Sequence, residues 1–143
     1  MSRSFFDTNV LLYLFDDSVP GKKARAQEVF SEEAEAGRVV LSTQVLQEFY
    51  VNVTRKLAEP LTPEVARAQV EDFARLPLVR VDEAMILAAI DRHRNMSLSF
   101  WDALILEAAL RCGADRLLTE DLQHGQKVEG LRVENPFLEA KEE

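Results

Sequence analysis

At 143 residues, 47% of them hydrophobic, the chain is long enough for one packed domain, 1–143, and with only five glycines and five prolines it is neither disordered nor collagen-like. Its single cysteine, Cys112, excludes an internal disulfide and a cysteine-cluster zinc site, fits a reducing cytoplasm, and is expected in the core. Seventeen basic against 25 acidic residues leave a net charge of −8, which argues against holding nucleic acid by a basic surface alone. Either the acids are spread over solvated helices or some of them converge on a divalent cation.

In chain order, the first stretch is a short apolar run ending in Asp7, followed by Thr8, Asn9 and a new apolar segment from Val10 to Tyr13. This pattern reads as a buried strand whose end delivers a carboxylate into a crevice, the place where open α/β sheets bind ligands. The same residues also suit the N-cap of a helix beginning near Val10, and the local pattern leaves both readings open. Asp7 and Asn9 interrupt the apolar run and no cleavage site follows, so a signal peptide is not expected. No other stretch is long and apolar enough to span a bilayer.

Pro20-Gly21 marks a turn, and 22–36 carries Ala24, Val29, Phe30 and Ala34 at helical spacing before Gly37 ends the helix. A short strand at 39–41 leads into Ser42 or Thr43, either of which can cap a helix running to about Leu57. On that helix Leu46, Phe49, Val53 and Leu57 form the core stripe. Glu48 falls outside it, on a face with Gln44, Asn52 and Arg55 that periodicity alone reads as solvated. Thr62-Pro63-Glu64 opens a further helix that Pro77 stops, 78–81 is the third strand, and Asp82 caps the next helix. The polar stretch 92–95 is expected to be a basic loop, with His93 at the surface and arginines able to touch phosphates.

Ser99 and Asp102 have the spacing of a capping box, yet Asp102 projects onto a helix that is apolar nearly all round, while Glu107 and Arg111 are placed to pair at i,i+4. A carboxylate on a buried face costs several kcal/mol unless it is paired or coordinates a metal, and no basic residue lies within a turn on that face. The fourth strand, 114–118, ends in Thr119-Glu120-Asp121 and repeats the arrangement at Asp7. A polar turn at 123–130 then precedes a last, edge strand at 131–133, and the acidic tail 139–143 is expected to fray.

Strands alternating with helices imply a parallel sheet covered on both faces. In such a sheet Asp7 and Asp121 leave strand ends on the same edge, with Asp102 and Glu48 on adjoining helices. Clustered carboxylates stay ionised together only beside a cation, and oxygen donors of this kind select Mg²⁺ or Mn²⁺. The chain has no Gly-rich phosphate loop, no histidine pair at i,i+4 and no nucleophile elbow, which leaves metal-assisted hydrolysis. Two rivals stay open. A receiver-type Mg²⁺-binding signalling module wants paired acids after the first strand and a late lysine, where this chain has Asp7-Thr8-Asn9 and Thr119-Glu120-Asp121. A non-catalytic interaction protein with an acidic crevice would differ from a nuclease only in activity.

The stretches Phe5-Phe6-Asp7-Thr8-Asn9-Val10-Leu11-Leu12-Tyr13, Gln47-Glu48-Phe49-Tyr50-Val51-Asn52-Val53, Leu98-Ser99-Phe100-Trp101-Asp102-Ala103-Leu104-Ile105 and Leu118-Thr119-Glu120-Asp121-Leu122-Gln123-His124-Gly125 resemble the four acidic motifs of PIN domains, especially VapC-type toxin ribonucleases. They stand in the expected order and cover essentially the whole chain. The resemblance implies an α/β/α sandwich with a central parallel sheet and a Mg²⁺- or Mn²⁺-dependent endoribonuclease in which Asp7, Glu48, Asp102 and Asp121 are the metal-holding, catalytic acids. It thereby moves Glu48 from surface to site. Thr8, Asn9, Ser99 and Thr119 match the family's small polar residues beside those acids and are expected to orient them. Lys22, Lys23, Arg55, Arg92 and Arg94 are candidate contacts to the RNA backbone. The resemblance further implies a toxin acting on RNA in the cytoplasm, a homodimer, and a cognate antitoxin protein.

Overall fold

Among the described residues five of the six strands run parallel, and their order places the first strand at the centre of the sheet. The structure, a computed structural model, describes residues 2–138; the expectation of a frayed tail at 139–143 lies outside them. In chain order the elements are β1 (Ser4–Phe6), α1 (Thr8–Tyr13), α2 (Pro20–Glu35), β2 (Val39–Ser42), α3 (Thr43–Val53), α4 (Pro63–Phe73), β3 (Leu78–Val79), α5 (Glu83–Asn95), α6 (Phe100–Arg111), β4 (Arg116–Leu118), β5 (Lys127–Val128) and β6 (Leu131–Glu134). The sheet order is β3-β2-β1-β4-β6-β5, with only β5 antiparallel to its neighbour. β1 pairs with β2 on one side and β4 on the other, so the direction of winding reverses beside it. That reversal opens a crevice at the C-terminal ends of β1 and β4. Helices flank the sheet in an α/β/α arrangement, as expected.

β1 and β2 are buried at every position, as strands covered on both faces must be. On one side of the core, edge-to-face aromatic pairs run from Phe6 of β1 through Phe30 of α2 and Phe73 of α4 to Phe49 of α3 and Phe15, with ring centroids 5.1–5.9 Å apart. At the N-terminal edge of the strands a second device holds the sheet. Glu33, 3% exposed, accepts from the Ser4 hydroxyl at 2.5 Å, from Arg38 at 2.6 Å and from Arg116 at 3.0 Å. Arg116 also reaches Glu134 at 2.7 Å, so α2, β1, β4 and β6 are tied by one charged network. The Glu33 carboxyl is held down at about 2, chiefly by the Arg38 guanidinium, with Ser4 and Arg116 adding to it against burial.

Serine, threonine and aspartate open the helices as the sequence suggests: Ser42, Thr62, Asp82 and Ser99 each accept a backbone N–H from three residues on. Several expectations need correction. Pro20-Gly21 forms the first turn of α2 instead of a preceding turn, because the missing proline N–H is harmless there. Residues 92–95 are helical, not a loop; Arg92, His93 and Arg94 sit in the last turn of α5, where cations meet the negative end of the helix dipole. Glu107 does not pair with Arg111. It pairs with Arg92 across the α5–α6 contact, and Arg111 lies 3.6 Å from Asp82. β6 is not the edge strand. The expected polar turn contains β5, folded back on β6 through Glu129 and Gly130, both at positive φ (49° and 90°), a hairpin turn made here by Glu-Gly in place of the more familiar Asn-Gly. Cys112, expected in the core, is half-buried at the C-cap of α6 and packs against the edge of the core, its thiol 3.3 Å from the Ala109 carbonyl.

Candidate active site

Asp7 follows β1 directly, and its backbone N–H still bonds to the Leu118 carbonyl of β4 at 3.0 Å, so the sheet itself fixes where the side chain starts. It is the N-cap of α1 and also lines the crevice; the two readings of the sequence describe one residue. Its Oδ1 accepts from the Thr8 N–H at 2.7 Å and its Oδ2 from the Thr119 hydroxyl at 2.8 Å. At 5% exposure, burial pushes its carboxyl up to about 7 against those two hydrogen bonds, and the charges of Asp121 and Glu48 push the same way.

Glu48 comes from α3, whose Gln44–Glu48–Asn52 face, flanking the buried Val45–Phe49–Val53 stripe, turns toward the crevice. One carboxylate oxygen accepts from the Thr8 hydroxyl at 2.6 Å and the other from the Gln44 amide at 3.1 Å. Asp102 lies half-buried in the first turn of α6, with its N–H donated to the Ser99 hydroxyl at 3.0 Å. Its carboxyl is raised by burial and by the charges of Asp121 and Glu48, with Ser99 opposing. Asp121, exposed on the segment after β4, accepts from the Asn9 amide at 3.0 Å, while its N–H and the Asn9 amide both bond to the Thr119 hydroxyl at 3.1 Å.

The structure thus brings Asp7, Glu48, Asp102 and Asp121 to one crevice of about 210 Å³, with Thr8 and Asn9 in its wall and Thr119 behind it. Neighbouring Glu120 is clamped by the Tyr13 hydroxyl at 2.6 Å and Lys22 at 2.8 Å, which holds the 119–121 segment against α1 and α2. Lys22 is therefore engaged at the clamp and Lys23 with Asp17, while Arg92 is held by Glu107 and by Glu129 at 2.8 Å. Arg55 and Arg94 are exposed, and none of these five lines the crevice.

Among the described residues no lysine or arginine lines the crevice. Four carboxylates around one crevice, with the carboxyls of Asp7 and Asp102 raised by burial and by the charges of Asp121 and Glu48, form a donor set suited to a hard divalent ion. Among the described residues no three acidic, histidine or cysteine side chains stand close enough to enclose an ion as they are. The acids line the walls, and the fit to a cation rests on their chemistry and on their shared crevice.

Three site residues were not singled out from the sequence. Gln44, 4% exposed, donates its amide N–H to Glu48 and, at 3.1 Å, to the Trp101 carbonyl; Asn52 lies a turn beyond Glu48; and Trp101 stands beside Asp102, 60% exposed. The i±4 spacing around Glu48 was the available signal for the first two, and nothing local marked Trp101.

A family model described as PIN domain matches residues 4–128. Among curated proteins none matches in sequence. Solved structures of similar fold include a toxin–antitoxin complex from Klebsiella pneumoniae, 18% identical, covering 93% of this chain and 97% of that one with a TM-score of 0.68. A DNA-bound VapBC from Salmonella typhimurium is 22% identical, with 95% and 99% covered and a TM-score of 0.66. VapC20 of Mycobacterium tuberculosis, a sarcin-ricin loop cleaving toxin, is 17% identical, with 80% and 86% covered and a TM-score of 0.61. At these identities the likeness is one of fold. The family match runs from the first residue of β1 to the last of β5 and takes in all four crevice acids: the chain belongs to the PIN domain family.

Proposed function

We propose that the protein is a divalent-metal-dependent endoribonuclease that hydrolyses RNA phosphodiester bonds as the toxin of a toxin–antitoxin pair. The observation that carries this reading is the crevice at the C-terminal ends of β1 and β4, lined by Asp7, Glu48, Asp102 and Asp121 and, among the described residues, by no lysine or arginine. PIN membership supports nuclease chemistry, and the toxin–antitoxin complexes of similar fold support the toxin role.

Asp7, Glu48, Asp102 and Asp121 would hold the cation, which when bound lowers the pKa of a water, orients the phosphate and offsets the charge that develops on the leaving oxygen. The chain's own contribution is orientation. Thr119 fixes one Asp7 oxygen, Thr8 fixes Glu48, Asn9 fixes Asp121 and Ser99 fixes the helix turn that carries Asp102. The substrate strand would meet exposed Arg55 and Arg94 outside the crevice. A cytoplasmic homodimer inhibited by a cognate antitoxin completes the proposal. Among the described residues no helix is long and apolar enough to cross a membrane.

The test is cleavage of single-stranded RNA by the purified protein in Mg²⁺, in Mn²⁺ and in EDTA. Cleavage in either metal that EDTA stops and Asp102→Asn removes supports the reading; intact RNA in all three conditions favours a non-catalytic interaction protein.

A further inference from the structure

The chain's one tryptophan is not in its core. Trp101 stands 60% exposed in the first turn of α6, immediately before Asp102, with the Phe100 ring edge-on to it at 5.1 Å. Beside it lies an open groove of about 390 Å³, lined by Gln44, Gln47, Glu48, Val51, Asn52 and Trp101. Four of these, Gln44, Glu48, Asn52 and Trp101, also line the acid crevice, so the two spaces adjoin and an occupant of one lies next to the occupant of the other.

The groove's chemistry selects its occupant. Among the described residues it has no lysine or arginine to meet a phosphate, and its walls combine Trp101 and Val51 with Gln47 and Asn52. A planar heterocycle with donors and acceptors on its edge fits such a surface. A second observation points the same way. The Gln44 amide nitrogen faces two acceptors, Glu48 and the Trp101 carbonyl, which fixes its orientation and leaves its carbonyl oxygen buried without a partner. Gln44 itself lines both the crevice and the groove.

We propose that this groove is a nucleobase subsite of the active site, in which Trp101 stacks on a base next to the scissile phosphate. The subsite rests on the nuclease reading and adds a base-contacting residue to it. Stacking on an indole is tolerant of base identity, so Trp101 supplies grip on single-stranded RNA, and the Gln47 and Asn52 amides supply preference among bases.

The probe is a mixed-sequence single-stranded oligoribonucleotide, cleaved in Mn²⁺ by the wild-type protein and by Trp101→Phe, Trp101→Leu and Trp101→Ala, with thermal melts to confirm folding. The expected result is a fall in kcat/KM of about 10- to 100-fold in the Ala and Leu variants, carried mainly by KM, with most of it recovered in Phe. As the only tryptophan, Trp101 also reports directly: its fluorescence should be quenched by the oligoribonucleotide and not by an abasic ribose-phosphate chain of equal length. Wild-type kinetics in the Ala variant, full recovery by Leu, or equal quenching by the abasic chain would overturn the stacking role; full recovery by Leu would mark the groove as an apolar docking site for a protein segment. A wild-type protein that cleaves no RNA would overturn the nuclease reading itself, and the subsite with it.

Discussion

The Thr119 hydroxyl donates to Asp7 Oδ2 at 2.8 Å and so ties the residue after β4 to the residue after β1. The same oxygen accepts the Asn9 amide and the Asp121 N–H, both at 3.1 Å, which uses its full hydrogen-bonding capacity. One buried hydroxyl thus sets the relative positions of two crevice acids that lie far apart in sequence.

Thr119→Val keeps the shape and removes all three bonds. Mn²⁺ affinity and cleavage should fall about 10- to 100-fold, the usual loss for a partner that orients metal-holding side chains, and Thr119→Ser should restore most of it. Calorimetry and single-turnover kinetics check both; unchanged values in the valine variant would remove Thr119 from the account.

Asp7→Asn should abolish cleavage without harming the fold, because asparagine caps a helix as well as aspartate does. The pH dependence gives the sign. Asp7 titrates at about 7 in the folded chain against an ordinary 3.8, so its ionised form is disfavoured by folding. Stability without metal should therefore fall as pH climbs from about 4 to about 7, by as much as about 4 kcal/mol, and the asparagine variant should lack that fall. Thermal melts in EDTA at pH 5 and pH 8 decide it. A variant that melts well below wild type at pH 8 would show that the capping role of the carboxylate outweighs its repulsion.

Arg92 and Arg94 should separate. Arg92, 18% exposed, is held between Glu107 and Glu129, and Arg92→Ala should destabilise the chain by about 2 to 3 kcal/mol with little change in RNA affinity. Exposed Arg94→Ala should leave stability alone and lower the salt dependence of RNA binding by slightly less than one unit of slope. Melts together with binding at two salt concentrations check the pair, and the reverse pattern would contradict it.

The contrast between Arg92 and Arg94 shows where the sequence was legible. Helix starts at Ser42, Thr62, Asp82 and Ser99 could be read because their capping chemistry is local. Arg92 could not, because its partners come from α6 and from the β5–β6 turn, 15 and 37 residues away. Glu48 reads as surface by periodicity because that analysis sees only the core stripe, whereas the second buried environment, the crevice, is built by α1 and the 119–121 segment. The short hairpin strand β5 escaped because two residues carry no alternation to detect.

Acid stability should depend on Glu33. Its carboxyl lies near 2 in the folded chain, below its ordinary 4.5, so its stabilisation is complete above about pH 4.5 and is lost as pH falls toward 2. The loss should reach about 2 to 3 kcal/mol, and Glu33→Gln should be less stable at pH 7 and show a shallower decline over that window. Urea unfolding at pH 7, 4.5 and 2.5 measures it. Parallel declines in the two proteins would assign acid sensitivity to other carboxylates.

Four carboxylates from four parts of the chain holding a catalytic cation should be visible in titration calorimetry of Mn²⁺ into the free protein at pH 8. Binding should be saturable and should weaken at least about tenfold in each of Asp7→Asn, Glu48→Gln, Asp102→Asn and Asp121→Asn. Absence of saturable heat in the wild-type protein, or equal affinity in all four variants, would contradict it.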